Sequence, residues 1–309
     1  QAGKFLAVGA GTNGAVSVDG SSWSAEVMPT LAAGNYSSIA SGLQDDGSST
    51  YQPSAVVVVA DGDNTVAYSA DADSWSTSNL PSPGFDITGS TRIAYGNVVG
   101  SVTNRFVVIS STDTDVCVSD NGGATWTVSS SPPLDNTGYD TIAYGAGKFV
   151  VIRSGTTNAM YSADGETWTG VTLPGTAAAA TDVVWGNGRF VALGGTNGIM
   201  YSLDGITWLE NALTLPLPVV ERKIAYGQGT FVITSDDTDQ VQYSHDGIYW
   251  QAYTLATTVT GGYNAAAFGN PARTGKFVIL PNAAGTGGNL AQINTPARAR
   301  ASIANEQVF

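Results

Sequence analysis

Short runs in which apolar and polar residues alternate recur along the whole chain, each broken after a few residues by Gly, Asn, Asp, Ser or Pro. Period-two alternation rich in β-branched and aromatic residues predicts half-buried strands joined by tight turns. Four kinds of run repeat in fixed order. The first ends in an aromatic residue and glycine, as in Ile93-Ala94-Tyr95-Gly96, Ile142-Ala143-Tyr144-Gly145, Val184-Trp185-Gly186 and Ile224-Ala225-Tyr226-Gly227. The second opens on a basic residue and Phe, as at Lys4-Phe5, Arg105-Phe106, Lys148-Phe149, Arg189-Phe190 and Lys276-Phe277. The third, typified by Met160-Tyr161 and Met200-Tyr201, leads into a polar turn, and the fourth runs from a tryptophan to a Leu-Pro or Pro-rich stretch.

That polar turn is the strongest repeat signal. It appears at Ser17 to Trp23, Ser69 to Trp75, Ser119 to Trp126, Ser162 to Trp168, Ser202 to Trp208 and Ser244 to Trp250, at intervals of 40 to 52 residues. A four-strand unit recurring at this period predicts one small antiparallel sheet copied around a ring, a β-propeller. Seven second strands, at Phe5, Val56, Phe106, Phe149, Phe190, Phe231 and Phe277, predict an all-β, seven-bladed propeller of four-stranded antiparallel blades filling residues 1–309 as a single domain. The first unit lacks its first strand, whereas Ser302-Ile303-Ala304 reproduces Ser38-Ile39-Ala40. Residues 296–309 are therefore expected to act as linker and closing strand, supplying the missing inner strand of blade one. Because Gln1 falls inside a repeat and Phe309 stops abruptly, the domain is expected to belong to a longer chain.

In each turn the acidic side chain is expected to accept hydrogen bonds from backbone N–H groups of the loop, with glycine at the position of positive φ and the indole wedged beside neighbouring strands. The residues concerned are Asp19 and Trp23, Asp71 and Trp75, Asn121 and Trp126, Asp164 and Trp168, Asp204 and Trp208, and Asp246 and Trp250. The pattern resembles the Asp-box of sialidase-like propellers, Ser-x-Asp-x-Gly-x-Thr-Trp. Ser119-Asp120-Asn121-Gly122-Gly123-Ala124-Thr125-Trp126 matches it except that Asn121 replaces the aspartate, and the other copies are one residue shorter. The resemblance covers residues 1 to about 295 and implies a structural role for the turns, because that family places them on the face away from its binding sites. It extends to the propeller domains of phage structural and tail proteins and to the propeller factors that assist photosystem II assembly.

Composition narrows the partners. Charged residues make up only 12% of the chain, about half the share usual in globular proteins. The net charge of −13, with 4 Lys and 8 Arg, disfavours phosphate backbones and anionic membranes, so neither nucleic acid nor membrane insertion is expected. No apolar run reaches the roughly 20 residues of a membrane helix. A lysine-poor, Gly/Ser/Thr-rich β chain without a disulfide framework suits an extracellular or virion location.

Candidate chemistry is sparse. His245 is the only histidine and fills the variable second position of a turn; Cys117 is the only cysteine and falls on a predicted strand, where packing is expected. Arg105, Arg189 and Arg92 sit at repeated positions, which argues against a dedicated arginine triad, whereas Arg153 does not. Three loops, Asp61-Gly62-Asp63-Asn64, Asp113-Thr114-Asp115 and Asp236-Asp237-Thr238-Asp239, are read as solvated turns, with Ca²⁺ binding through hard oxygen ligands as the alternative. No other metal or cofactor is implied. Tyr36, Tyr139 and Tyr263 each precede a first strand near the channel mouth, where they either contact a sugar or peptide or pack as rings at the entrance. With Arg153 they are the candidate ligand-binding residues, and no catalytic residue is assigned.

The sequence thus points to a non-catalytic binding or structural propeller of a virion or exported surface, recognising a glycan or protein, with other subunits of a larger assembly among its partners. The alternatives are a sialidase-like glycoside hydrolase and an assembly-factor propeller that binds a membrane-protein partner.

Overall fold

The computed structural model describes residues 4–9, 13–43, 53–81, 84–98, 104–129, 138–175, 180–194, 198–211, 223–234, 240–255, 262–269, 275–281 and 291–294. Among the described residues every element of two or more residues is a strand. The first sheet holds β1 (Phe5–Val8), β2 (Asn13–Ser17) and β3 (Ser24–Val27). The second holds β4 (Asn35–Leu43), β5 (Pro53–Asp61), β6 (Asp63–Ser69) and β7 (Ser76–Asn79), and the third β8 (Thr91–Asn97), β9 (Asn104–Ser110), β10 (Val116–Ser119) and β11 (Thr127–Ser129). The fourth holds β12 (Thr141–Gly145), β13 (Lys148–Ile152), β14 (Asn158–Ser162) and β15 (Thr169–Thr172); the fifth β16 (Asp182–Gly186), β17 (Arg189–Leu193), β18 (Ile199–Ser202) and β19 (Leu209–Glu210). The sixth holds β20 (Lys223–Gly227), β21 (Thr230–Thr234), β22 (Gln240–Ser244) and β23 (Gln251–Thr254), and the last β24 (Tyr263–Gly269), β25 (Lys276–Pro281) and β26 (Ala291–Asn294). Among the described residues no helix is long and apolar enough to cross a membrane.

All pairings are between sequence neighbours and antiparallel, as expected of a propeller with four-stranded antiparallel blades. Six sheets present an inner strand to the channel, and these pack side by side in the order β4, β8, β12, β16, β20, β24. Among the described residues the first sheet has none, so the expected seven blades are corrected to six that reach the channel, and the first and last sheets each have three described strands. The proposed closing segment, 296–309, lies outside the described residues, as do Asp236-Asp237-Thr238-Asp239, Arg222 and the arginines beyond residue 270.

The core lies between sheets. Second strands carry apolar residues on both faces because each lies between the sheet before and the sheet after: Phe149, Val150, Val151 and Ile152 of β13 are all at most 1% exposed. Inner-strand glycines set how closely sheets approach. A Cβ on Gly145 would strike the indole of Trp185 on β16, and one on Gly96 the ring of Tyr144 on β12. From β8 to β24 the aromatic residue of each inner strand thus lies on the glycine of the sheet before it, and leans on its own second-strand Phe, as in Trp185 and Phe190 with ring centroids 4.7 Å apart.

Candidate functional site

The six Ser-to-Trp turns share one geometry. In the fourth sheet Ser162 Oγ donates to Asp164 Oδ1 (2.8 Å), which also accepts the N–H groups of Glu166 (2.8 Å) and Thr167 (2.6 Å), while Gly165 N–H donates back to Ser162 Oγ (2.8 Å). Trp168 Nε1 then donates to Gly165 O at 3.2 Å. The same bonds hold Asp19, Asp204 and Asp246, with Trp23, Trp208 and Trp250 donating to the turn glycine. Asn121 substitutes its amide oxygen, accepting Thr125 N–H at 2.9 Å, and Trp126 donates to Gly123 O. Asp71 keeps its backbone bonds, but Ala72 takes the positive-φ position (58°), and Trp75 Nε1 reaches Glu26 Oε1 of the first sheet at 3.0 Å. The backbone donors of Ser22, then Ser21, hold Asp19 at a pKa of about 2. At Asp164, Asp204 and Asp246 burial works the other way, yet the backbone donors outweigh it and these carboxyls also lie below their ordinary value. These carboxylates are occupied in holding loops.

The turns also join neighbouring sheets. Arg105 of β9 clasps Asp120 through both Nε and Nη2 at 2.7 Å and meets Asp164 O (2.7 Å) and Glu166 Oε1 (2.8 Å) in the next sheet. Lys4 bridges to Asp73 of the second sheet, and Lys276 of the last sheet donates to Asp19 O (3.1 Å) and Ser21 Oγ (3.2 Å) of the first. At Lys4, Arg105 and Lys276 the basic residue beside the second-strand Phe is therefore an inter-sheet tie. His245 belongs to the same layer, with Nδ1 3.1 Å from Thr230 Oγ1 and its carbonyl accepting Asn187 Nδ2 at 2.9 Å. Cys117 is buried among apolar side chains, and burial first, then Asp113 and Asp115, pushes its thiol pKa far up.

The tyrosines expected at the channel mouth point inward. Tyr36, Tyr139 and Tyr263 are 4%, 2% and 0% exposed, so of the two readings of these rings, contact or packing, the described residues show them packed. Each sits beside or at the start of an inner strand and tucks under it into a separate core cluster, where its ring buries more area than a mouth position would. Tyr36 Oη donates to Pro29 O (2.9 Å); burial, then Asp63, raises its pKa to about 12. Arg153 follows β13 half-buried, with its N–H on Asn158 O at 3.2 Å. The four do not converge: Tyr139 and Arg153 flank the fourth sheet, Tyr36 and Tyr263 belong to the second and last.

The channel itself holds a cavity of about 400 Å³ whose polar lining includes Ser38, Arg92, Asp182 and Lys223. Asp182, which repeat reasoning passed over, ties three sheets, accepting from Thr141 Oγ1 (3.1 Å) and from Ile224 N–H (3.0 Å). Arg92 lies 3.7 Å from Asp61, whose Oδ1 accepts Thr91 N–H at 2.6 Å. In the acidic loops Asp63 accepts Ala33 and Thr65 N–H (both 2.8 Å), and Asp113 accepts Asp115 N–H (2.9 Å). Among the described residues no cluster of three His, Cys, Asp or Glu side chains could hold a metal.

Exposed apolar area is unevenly distributed. Of the large hydrophobic side chains exposed among the described residues, Leu203, Ile206 and Leu209 lie on the fifth sheet and Tyr249 and Tyr253 on the sixth, leaving only Val18 and Val27 elsewhere. The two sheets are joined at this rim by Asn211 Nδ2 donating to Ile248 O at 2.6 Å. Leu209 pairs with Tyr201 in the register that places Ser24, Ser76, Thr127, Thr169 and Gln251 in other sheets. A leucine at a position that is polar in every other copy is the signal by which the sequence could have revealed this patch.

No family model matches the chain, and no curated protein matches it. Among solved structures it is similar to YCF48 bound to D1 peptide (15% identity, TM-score 0.63, covering 96% of this chain and 89% of that one). It is also similar to virginiamycin B lyase from Staphylococcus aureus (12%, 0.66, 86% and 84%) and to BBS1N in complex with ARL6DN (11%, 0.63, 93% and 86%). At these identities the likeness is one of fold.

Proposed function

We propose that this chain is a non-catalytic, protein-binding propeller whose partner docks on the rim of the fifth and sixth sheets. The observation that carries the reading is the concentration of Leu203, Ile206, Leu209, Tyr249 and Tyr253, five of the seven exposed large hydrophobic side chains among the described residues, on two adjoining sheets. An apolar cluster rimmed by polar residues is characteristic of protein contact, and tyrosines are favoured anchors in such patches. The turn carboxylates, Lys4, Arg105, Lys276 and His245 are engaged in joining loops and sheets, which supports scaffolding over hydrolysis. The YCF48 and BBS1N structures, seen with D1 peptide and with ARL6DN, lend analogy of fold to a protein partner. The low-charge, Gly/Ser/Thr-rich surface fits a virion or exported protein within a larger assembly.

Affinity capture from the source material tests this with the wild-type chain and a Leu209→Glu/Tyr249→Ser variant. One protein retained by the wild type and lost with the variant, at unchanged circular dichroism, is the expected result. Equal capture by both, or selective binding on a glycan array with no protein partner, contradicts it.

A further inference from the structure

Arg105 and Arg189 hold the same place in their sheets and meet opposite surroundings. Phe106 pairs with Ser119 and Phe190 with Ser202, which puts Asp120 beside Arg105 and Leu203 beside Arg189. A Cβ on the turn glycine of the following sheet would lie 3.2 Å from Arg105 Cδ at Gly165 and 3.4 Å from Arg189 Cδ at Gly247, so both side chains run along that turn. The residue after the glycine is Glu166 in one case, which pairs with Arg105, and Ile248 in the other. Both carboxylates that grip Arg105 are thus replaced by apolar residues at Arg189.

The consequence is a cation without an acceptor. Arg189 Nε is buried with no hydrogen-bond partner, and among the described residues no carboxylate forms an ion pair with the guanidinium as Asp120 and Glu166 do with Arg105. Asp246, which feels its charge, already spends Oδ1 on the N–H groups of Ile248 (2.8 Å) and Tyr249 (2.9 Å). The guanidinium carbon instead lies 5.6 Å from the centroid of the Tyr201 ring, a contact that fixes the group in place but leaves its donors unused. A partly buried charged donor left in this state is costly until an acceptor arrives. The gap opens on the rim, because Leu203 is 63% exposed and Tyr201 pairs with Leu209.

We propose that Arg189 is the polar anchor of this rim and takes an Asp or Glu side chain of the docked protein, flanked there by apolar residues that cover Leu203 and Ile248. The inference rests on the reading of the rim as a protein contact and adds the chemistry of the partner. A guanidinium matches a carboxylate with two parallel bonds, as Arg105 shows with Asp120 at 2.7 Å, and the apolar frame strengthens such a pair once water is excluded. On a chain of net charge −13, a single uncompensated cation selects where one acid is placed rather than acidity in general.

A library of displayed random peptides, panned on the intact chain, provides the probe. Peptides with an Asp or Glu beside apolar residues are expected to be enriched. Synthesised as C-terminal amides, so that a side chain is the carboxylate tested, they are expected to bind at least about tenfold more weakly when that acid is changed to its amide. The ratio is expected to fall below about twofold on an Arg189→Gln chain, which lacks the cation, and on a Leu203→Asp chain, which gives it an internal carboxylate as Asp120 does for Arg105. An unchanged ratio in either variant, at unchanged circular dichroism, or enrichment of peptides with no acidic residue, overturns the inference and leaves the rim reading in place. No enriched peptide, or peptides that bind a Leu209→Glu/Tyr249→Ser chain as tightly as the wild type, overturns both.

Discussion

The guanidinium of Arg105 donates from Nη1 to the backbone oxygen of Asp164 at 2.7 Å, joining the second strand of one sheet to the polar turn of the next. Because the same group grips Asp120 with two parallel bonds, it is held in the fork geometry that only arginine provides. The carboxylates it meets are substantially open to solvent, which limits the ion-pair share of the effect. Arg105→Ala is expected to cost about 2 kcal/mol and Arg105→Lys about 1 kcal/mol. Urea unfolding with an unchanged m-value checks both.

Acid sensitivity follows from the turns. Asp19, Asp71, Asp164, Asp204 and Asp246 all have folded pKa values below the ordinary aspartate value of 3.8, and Asp19 is at about 2. The stability they contribute is complete above about pH 4 and is lost as pH falls through the folded values. Asp115, raised by burial and then by Asp113, works in the opposite sense but is outnumbered. The melting temperature is therefore expected to fall steeply between about pH 4 and pH 2. Asp164→Asn, which copies the arrangement of Asn121, is expected to keep the fold and flatten part of that slope.

Sheet spacing gives a steric test. Gly145→Ala would drive a methyl into the indole of Trp185, whereas a Cβ on Gly175 meets nothing within 4 Å. Gly145→Ala is expected to cost about 2 to 3 kcal/mol and Gly175→Ala less than about 0.5 kcal/mol, measured by thermal or urea unfolding.

Ala72 holds φ at 58° where the other turns have glycine. A left-handed conformation costs a residue with a Cβ about 1 kcal/mol, so Ala72→Gly is expected to stabilise by about 0.5 to 1 kcal/mol. A lower unfolding midpoint would contradict the account of this turn.

Much of the fold was legible because the repeat encodes it redundantly. The Ser-x-Asp-Gly turns, the Gly near the end of each inner strand and the basic residues Lys4, Arg105 and Lys276 are fixed by short-range bonds or by the adjoining sheet, so their spacing carries three-dimensional information. For the tyrosines the sequence leaves two readings, because a position before a strand does not say whether its ring faces water or core; Tyr263 is fully buried, on a strand paired with β25. The apolar rim was overlooked for a different reason. Leu209 and Tyr249 are visible only as departures from polar counterparts such as Ser24 and Thr167, and they become a patch only once the fifth and sixth sheets stand side by side.

Photo-crosslinking from the rim tests the central claim most directly. With a photoreactive residue at position 209 or 253, the chain is predicted to crosslink one and the same protein in its native extract, whereas position 27, more exposed than either and on the first sheet, is predicted to yield none of it. Crosslinking of that protein from position 27 alone, or equally from all three sites, would contradict a partner held on the fifth and sixth sheets.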